Sequence, residues 1–262
     1  MGDLVYPETQ PCARCQTLVP GPRHGRGLCG GCLEEILDAR VRAHPCPFCG
    51  FFRMSENGPC PGLCAGGLAP LDGVLAATAY NGLCRQWIQS LKYSAEKDLA
   101  QPIALVMARV WAAQANALAG RWKVPLKPAP WLTPVPLHPL KFAERGFNQS
   151  LLLAQALSEH LGYPVKELLI RRNQESNQAD LTADRRRINV RNAFAPAPEW
   201  AGRALPGDRL VLIIDDIVTT GETLKACATV LKEGGAAYAG GYTWAGGGRQ
   251  NAAPTDASFT VP

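Results

Sequence analysis

The sequence lacks the features that mark membrane and secreted proteins. No uncharged apolar run reaches the about 18 residues that a membrane helix needs, because the longest candidate, residues 99–119, is broken by Gln101, Arg109, Gln114 and Asn116. The N-terminus shows no basic segment followed by an apolar one, so a secretory signal is not expected. We therefore expect no membrane span and a reducing, cytoplasmic location.

The sequence also lacks the phosphate-binding motif of a large class of nucleotide enzymes. It contains no Gly-Lys dipeptide and therefore no G-x-x-x-x-G-K-[ST] loop, which excludes a P-loop nucleotidase. Residues 1–70 hold six basic and six acidic side chains, so the net excess of +5 lies in the rest of the chain. An excess this mild suits a phosphate-bearing ligand as well as nucleic acid.

Cysteine, in contrast, is concentrated at the start of the chain. Eight of the ten cysteines precede residue 65 and form four closely spaced pairs: Cys12 and Cys15, Cys29 and Cys32, Cys46 and Cys49, Cys60 and Cys64. Gaps of this length let both thiolates of a tight turn point at one ion, and two such turns complete a tetrahedral zinc site. Because disulfides are rare in a reducing cytoplasm, the sequence predicts two zinc ions.

The spacing leaves the pairing of the four turns open. The first turn could share an ion with the second and the third with the fourth, or the turns could be cross-braced, first with third and second with fourth. In either arrangement four thiolates close the coordination shell, which makes the metals structural. Metal binding would supply folding energy to a segment with few aliphatic residues, and we expect this module to dock a partner or bind nucleic acid.

A larger domain follows a Gly- and Pro-rich stretch at 62–73. We predict a double zinc module over residues 1–70, an α/β domain over 71–245 and a disordered tail over 246–262. Periodicity predicts strands at 74–80, 131–136, 165–170, 209–214 and 237–245, and helices at 83–92, 99–118, 148–161 and 222–233. Such alternation predicts a mostly parallel sheet covered by helices on both faces, with ligands at the carboxyl ends of the strands.

The most informative stretch follows the strand predicted at 209–214. This run is mostly apolar, as in a strand buried on both faces, and two acids, Asp215 and Asp216, come directly after it. Because burying unpaired carboxylates costs free energy, we expect both to emerge at the strand tip. A Thr-Thr-Gly turn (219–221) then enters a helix, whose N-terminus offers N–H groups to a phosphate. One loop thus suits both the hydroxyls and the phosphate of ribose 5-phosphate.

Residues 212–223, Leu-Ile-Ile-Asp-Asp-Ile-Val-Thr-Thr-Gly-Glu-Thr, resemble the 5-phosphoribosyl-1-pyrophosphate (PRPP) signature of type I phosphoribosyltransferases. Further motifs accompany it: Leu91-Lys92-Tyr93, Val135-Pro136-Leu137, Arg145-Gly146-Phe147-Asn148-Gln149-Ser150, Asn177-Gln178 and Arg186-Arg187-Ile188-Asn189-Val190. With the cysteine turns, this ordered set is similar to the ComF family over nearly the whole chain, up to about residue 245. The resemblance implies a double zinc module followed along the chain by a domain with the type I phosphoribosyltransferase fold.

The resemblance also implies roles for individual residues. Asp215 and Asp216 are expected to bind the ribose 2′- and 3′-hydroxyls and to be catalytic together with Arg145, which lies where cations offset the charge of the pyrophosphate. The full PRPP-binding set is expected to be Lys92, Asp215, Asp216, Ile217, Val218, Thr219, Thr220, Gly221, Glu222 and Thr223. Magnesium is expected to accompany PRPP, because pyrophosphate usually enters such sites as its magnesium complex.

Two further regions near this site stay open to alternative readings. His138 and Lys141 precede Arg145, and each could contact pyrophosphate or lie at the surface. Residues 171–191 carry six arginines and take the position of the family's mobile active-site loop. A solvated basic surface is the competing interpretation of these arginines.

Two functions follow from the resemblance. The first is a ComF-like role in DNA uptake and single-stranded DNA handling during natural competence, with single-stranded DNA and DNA-uptake proteins as partners. The second is an active phosphoribosyltransferase that transfers ribose 5-phosphate from PRPP to a nucleobase or amine. The sequence shows no base-specific constellation for the acceptor, and the catalytic N-terminal cysteine of a glutamine-dependent amidotransferase is absent.

Overall fold

A computed structural model of the chain describes residues 9–20, 26–53, 55–60, 62–94, 96–172 and 192–247. In chain order the described elements are β1 (Thr9–Pro11), β2 (Leu18–Pro20), α1 (Gly30–Arg42), β3 (Gly73–Ala79), α2 (Gly82–Tyr93), α3 (Ala100–Trp122), β4 (Trp131–Pro134), α4 (Pro139–Arg145), α5 (Gln149–Leu161), β5 (Leu169–Arg171), β6 (Phe194–Pro196), β7 (Leu210–Val218), α6 (Glu222–Glu233) and β8 (Tyr238–Gly246). Short 3-10 helices occupy Leu63–Gly66, Lys97–Leu99 and Pro198–Trp200.

The central sheet has four parallel strands in the order β3-β8-β7-β4. Because all four strands run in the same direction, their carboxyl ends meet at one edge of the sheet, and the segments that follow β3, β4 and β7 gather there. Two antiparallel pairs, β1 with β2 and β5 with β6, lie outside this sheet. The predicted α/β architecture with a mostly parallel sheet is confirmed.

Strand β7 shows why the sheet is covered on both faces. Its residues alternate between two hydrophobic cores: Leu212 joins one core with residues of α2, α3 and α5, and Ile213 joins the other with residues of α6. Both side chains are fully buried. An uninterrupted apolar run is the sequence pattern that such a doubly covered strand requires.

The cysteine-rich segment packs directly on this domain. Ile36 of α1 belongs to the core beneath α2 and α3, and Phe51 and Leu63 belong to the core beneath α6. The backbone N–H of Val74 in β3 donates to the carbonyl oxygen of Phe48 at 2.9 Å. The segment therefore buries part of its apolar surface, including Ile36, Phe51 and Leu63, against the sheet and helices of the larger domain.

Two strand predictions differ from the structure. β7 continues to Val218, four residues beyond the predicted end at Ile214, because its pairing with β8 extends through Val218. The strand predicted at 165–170 does not join the central sheet. Val165 makes an isolated bridge to Leu132 in β4, after which the chain leaves the sheet edge and pairs as β5 with β6.

Among the described residues, one helical stretch, Lys97–Trp122, has the length and mean hydropathy of a membrane span. Half of its most apolar part is buried inside the protein, and Val106, Met107 and Trp111 are almost completely buried. The stretch packs against α5, α1 and β3. It is the central helix of one hydrophobic core, which explains its apolar composition.

Candidate functional site

An adjacent pair of buried aspartates lies near the carboxyl end of β7. Asp215 and Asp216 expose 8% and 5% of their surface, respectively. Asp215 Oδ1 accepts a hydrogen bond from Ser150 Oγ at 2.9 Å and another from the backbone N–H of Asp216 at 2.9 Å. Asp216 forms an ion pair with Lys92 and accepts a hydrogen bond from Gln149 Nε2 at 3.3 Å. Each acid is thus held by its own set of partners.

The two sets of partners produce an uneven electrostatic environment. Burial, reinforced by the negative charge of Asp216, raises the pKa of Asp215 well above the usual value for an aspartate. The hydrogen bonds from Ser150 and from the backbone act in the opposite direction but are smaller. A buried carboxyl group of this kind gains from a ligand that donates hydrogen bonds to it, as the hydroxyls of a ribose do.

The turn between β7 and α6 has the form of a phosphate cradle. Thr219 and Thr220 are exposed at the edge of the sheet, and Gly221 adopts a left-handed backbone conformation with φ +72°. Its carbonyl oxygen accepts from the backbone N–H of Lys225 at 2.9 Å, which begins the helical hydrogen bonding of α6. The N-terminus of α6 and the exposed threonine hydroxyls therefore face the same edge as the acid pair.

Two cations predicted for the site meet the acid pair from neighbouring elements. Lys92 comes from the last turn of α2 and contacts Asp216 directly. Arg145 ends α4 and donates a hydrogen bond to Gln149 Oε1, while Gln149 donates to Asp216. The guanidinium carbon of Arg145 also lies 5.4 Å from the centre of the Tyr93 ring. The structure therefore brings Lys92, Arg145 and the acid pair into one network.

The other candidate residues lie farther from this network. His138 caps α4, because its Nδ1 accepts from the backbone N–H of Leu140 at 3.2 Å, and Lys141 is exposed on the same short helix. Arg171 lies over the ring of Phe194, with 5.4 Å between the guanidinium carbon and the ring centre. Residues 173–191, with the Asn177-Gln178 and Arg186–Val190 motifs, lie outside the described part of the chain.

Three residues of the site received no role from the sequence. Gln149 and Ser150 belong to the motif around Arg145, but the spacing gave no sign that they bind the acid pair 65 or more residues away. Leu63 lies between two cysteines and packs against Gly221, whose missing Cβ would come within 2.5 Å of Leu63 Cδ1. These contacts depend on how elements distant in sequence meet at the sheet edge.

The eight N-terminal cysteines form two separate quartets. Cys12, Cys15, Cys29 and Cys32 form one, and Cys46, Cys49, Cys60 and Cys64 form the other; within each quartet all sulfurs lie within 4.8 Å of one another. This is the sequential pairing of the turns. All eight are free thiols, with Sγ atoms 3.6 Å apart for Cys15 and Cys29, 3.7 Å for Cys46 and Cys64 and 3.1 Å for Cys49 and Cys60.

These distances fit a tetrahedral metal site. Four sulfurs that each lie about 2.3 Å from a zinc ion are separated from one another by about 3.8 Å. Each quartet therefore holds its sulfurs close to the spacing that a single tetrahedral ion would impose. Both cysteine quartets are suited to bind a metal ion.

The sheet topology, the acid pair at the carboxyl edge and the Thr-Thr-Gly turn into α6 define a protein of the phosphoribosyltransferase class. In agreement, residues 148–260 match the phosphoribosyl transferase domain family. This match includes the acid pair and the residues Gln149 and Ser150 that bind the acids. It also includes the Thr-Thr-Gly turn at 219–221, which we call the phosphate-type turn.

Individual relatives define the family more closely. DNA utilization protein YhgH of Salmonella typhimurium is 30% identical over 213 residues, which cover 80% of this chain and 86% of the relative. Competence protein F of Haemophilus influenzae is 36% identical over 103 residues, 39% of this chain and 44% of the relative. Competence protein ComFC of Streptococcus pneumoniae is 31% identical over 102 residues, 39% and 41% of the two chains. The chain belongs to the ComF family.

Proposed function

We propose that this protein handles single-stranded DNA during DNA uptake in natural competence and uses its phosphoribosyl site to bind PRPP. The observation that carries the proposal is the buried acid pair beside a phosphate-type turn, in a family whose relatives are named for competence and DNA utilization. Proteins of the DNA-uptake apparatus and single-stranded DNA are the proposed partners, and the cytoplasm is the proposed location.

In this proposal PRPP lies across the carboxyl edge of the sheet. Asp215 and Asp216 accept hydrogen bonds from the ribose hydroxyls, and the backbone and hydroxyls of residues 217–223 hold the 5′-phosphate. Lys92 and Arg145 are placed to offset the charge of pyrophosphate, which enters with magnesium. The contacts of Lys92 and Gln149 with Asp216 support this arrangement, since they connect the cations to the ribose-binding acids.

We further propose that each cysteine quartet binds one structural zinc ion. Four sulfurs per site leave no position open for a substrate, so the metals would fold and fix the N-terminal module. The proposed organisation is a double zinc module over residues 1–70, a phosphoribosyltransferase domain over 71–245 and a tail over 246–262. The close packing of Leu63 on Gly221 favours a structural role for the module beside the PRPP site.

An active phosphoribosyltransferase is the second candidate. Its support is the pair of cations beside the acids, because a leaving pyrophosphate needs positive charge as its bond to the ribose breaks. In this reaction a nitrogen nucleophile bonds to the anomeric carbon with inversion, and the bond to pyrophosphate oxygen breaks. A nucleobase or an amine is the proposed acceptor.

Equilibrium binding and turnover measurements on the full chain separate the two functions. PRPP binding is measured calorimetrically with magnesium, and Asp215→Asn together with Asp216→Asn is expected to weaken it by about 1–3 kcal/mol for each hydrogen bond to the ribose that is removed. Pyrophosphate release is then measured with a panel of bases and amines. Tight PRPP binding without release favours the DNA-handling role, whereas unchanged PRPP binding by the double variant places the ligand elsewhere and overturns the proposal.

A further inference from the structure

An exposed apolar surface lies at the mouth of the candidate phosphoribosyl site. Tyr93 at the end of α2 is 75% exposed, and Leu140 and Phe142 on α4 are 74% and 50% exposed. Large hydrophobic side chains rarely remain this exposed without a function when several lie together. Phe142 and Arg145 are three residues apart and lie on the same side of α4, and Arg145 contacts Tyr93. We call the surface formed by Tyr93, Phe142 and Arg145 the mouth platform.

Direct contacts connect the mouth platform to the acid pair. Arg145 stacks over the Tyr93 ring at 5.4 Å and also donates to Gln149, which donates to Asp216. Lys92, the neighbour of Tyr93 in sequence, forms an ion pair with the same aspartate. Two successive contacts, Arg145 with Gln149 and Gln149 with Asp216, therefore connect the platform to an aspartate proposed to hold the ribose.

Positive charge surrounds these aromatic rings. Lys92, Lys97, Lys141 and Arg145 lie in the segments that form the mouth. The acids nearest to Lys97 in sequence, Glu96 and Asp98, both pair with Arg26, at 2.8 and 2.7 Å, so that Arg26 offsets one of their two negative charges. Glu144 is the one acidic residue of α4. Lys97 and Lys141 are exposed, so these two cations and Arg145 are placed to contact a phosphate backbone.

Planar rings interleaved with cations match the requirements of a nucleic-acid single strand. Unpaired bases stack on aromatic side chains whatever their sequence, while cations along the groove hold the phosphates. A duplex offers no free base faces to such a ring. Tyr93 presents one face of its ring to the Arg145 guanidinium and keeps most of its surface open.

We propose that the mouth platform binds single-stranded DNA, with bases stacked on Tyr93 and Phe142 and phosphates held by Lys97 and Lys141. This inference rests on the proposed function, because it names the residues by which that function would reach DNA. A strand bound there passes directly over the site for the phosphorylated ribose. The site for the small ligand and the site for the strand then share Arg145 at their border.

Fluorescence anisotropy of labelled oligo(dT) with the full chain tests the platform. Tyr93→Ala and Phe142→Ala are each expected to weaken binding about tenfold or more, because each removes the ring on which one base stacks, whereas Tyr93→Phe retains the ring and the affinity. Ile170→Ala is the control, since Ile170 is an exposed apolar residue (41%) on β5, outside both the platform and the cysteine turns. Zinc content, thermal unfolding and PRPP binding show that each variant is folded.

The salt dependence tests the proposed phosphate contacts. Lys141→Gln is expected to reduce the slope of log K against log salt by about 0.7, the value for one contact to a single strand. Arg121→Gln, an exposed cation in the last turn of α3, is expected to leave the slope unchanged. An unchanged slope in Lys141→Gln would show that Lys141 does not contact the phosphates of the strand.

The possible results distinguish a failure of the platform from a failure of the proposed function. If the wild type and both alanine variants bind oligo(dT) equally well, the proposal that the platform binds the strand is wrong. The proposed function in DNA handling is then retained. Duplex DNA bound as tightly as the single strand also overturns base stacking at this surface. If the wild type binds PRPP but not oligo(dT), the platform and the DNA role both fail, and the transferase remains.

Discussion

At the scale of single residues, the two aspartates of β7 have different environments although they are adjacent. Asp216 is paired with a cation, Lys92, whereas the hydrogen bonds to Asp215 come from a neutral hydroxyl and a backbone amide. Burial and the charge of Asp216 therefore raise the pKa of Asp215. An ionised Asp215 therefore lowers the stability of the free protein.

Asp215→Asn is expected to stabilise the free protein while it weakens PRPP binding. At pH values above the raised pKa of Asp215, removal of the buried charge should add about 1–3 kcal/mol to the free energy of unfolding. The gain should shrink as the pH falls through this pKa and vanish near the unfolded pKa of about 3.9, because the carboxyl group is then neutral in both states. Urea denaturation across this pH range measures the difference.

Asp208→Asn provides the control for this experiment. Asp208 is exposed and pairs with the adjacent Arg209 at 3.1 Å, so its substitution should change stability little at any pH. A stability gain of Asp215→Asn that does not vary with pH would show that the ionisation of Asp215 is not its source.

Lys92 and Asp216 should behave as a coupled pair. Lys92→Met leaves the buried carboxylate of Asp216 without its cation, and we expect a loss of stability that Asp216→Asn restores in the double variant. A double-mutant cycle from denaturation curves should give a coupling energy of about 0.5–3 kcal/mol. Lys97→Met, which removes a lysine placed 4.8 Å from the centre of the Phe147 ring, is the comparison. A coupling energy of zero would contradict the pairing.

At the scale of elements, the turn between β7 and α6 depends on a contact from the cysteine-rich segment. Gly221 has φ +72°, a conformation that disfavours side chains, and Leu63 fills the space beside it. Leu63 belongs to a 3-10 helix that contains Cys64 of the second quartet. The shape of the phosphate-type turn is therefore supported by residues that lie far away in the sequence.

Gly221→Ala is expected to destabilise the protein and to weaken PRPP binding. The left-handed conformation accounts for about 1–2 kcal/mol of the decrease in stability, and the clash with Leu63 adds to it. Gly162→Ala is the matched control, because Gly162 has φ +69° but open space around it. The double variant Leu63→Ala with Gly221→Ala should relieve the clash but not the conformational strain.

The two variants at Gly221 and Gly162 are compared by thermal denaturation and by PRPP calorimetry. Equal decreases in stability at both positions would mean that Leu63 does not confine the turn. A Gly221→Ala protein that binds PRPP as tightly as the wild type would mean that the turn does not hold the ligand.

At the scale of the whole molecule, the cysteine-rich segment and the sheet share their cores. The second quartet contains Cys46 and Cys49, which are buried in the same core as Leu224 of α6. The first quartet lies beside Arg26, which forms ion pairs with Glu96 and Asp98. Metal binding at the second quartet would therefore act, through Leu63 and Gly221, on the edge of the sheet where the candidate site lies.

Removal of metal is expected to affect PRPP binding through the second quartet. Cys46→Ser and Cys12→Ser should each lower the zinc content by one ion per chain and lower the unfolding temperature. Cys46→Ser should also weaken PRPP binding severalfold, because Leu63 would no longer be held against Gly221. Elemental analysis and calorimetry measure both effects. Equal PRPP affinities in the two variants would contradict support of the turn by the second quartet.

The sequence predicted the elements that carry a strong local pattern. The helix predicted at 222–233 has the bounds of α6, because its apolar face, its small-residue N-terminal turn and its C-terminal glycine are all local signals. The strand at 165–170 was placed wrongly, since its apolar residues fit the edge of the sheet and the β5–β6 hairpin equally well. Helix α4 was missed because seven residues show no clear periodicity.

The sequence by itself determined the alternating architecture, the acid pair, the phosphate-type turn and the cysteine turns, because each depends on residues close together in the chain. The tertiary structure decided what these pieces contact. It joined the cysteine turns sequentially, continued β7 through both aspartates and brought Lys92, Gln149 and Ser150 to them. Such contacts arise from packing between distant segments, which no local pattern records.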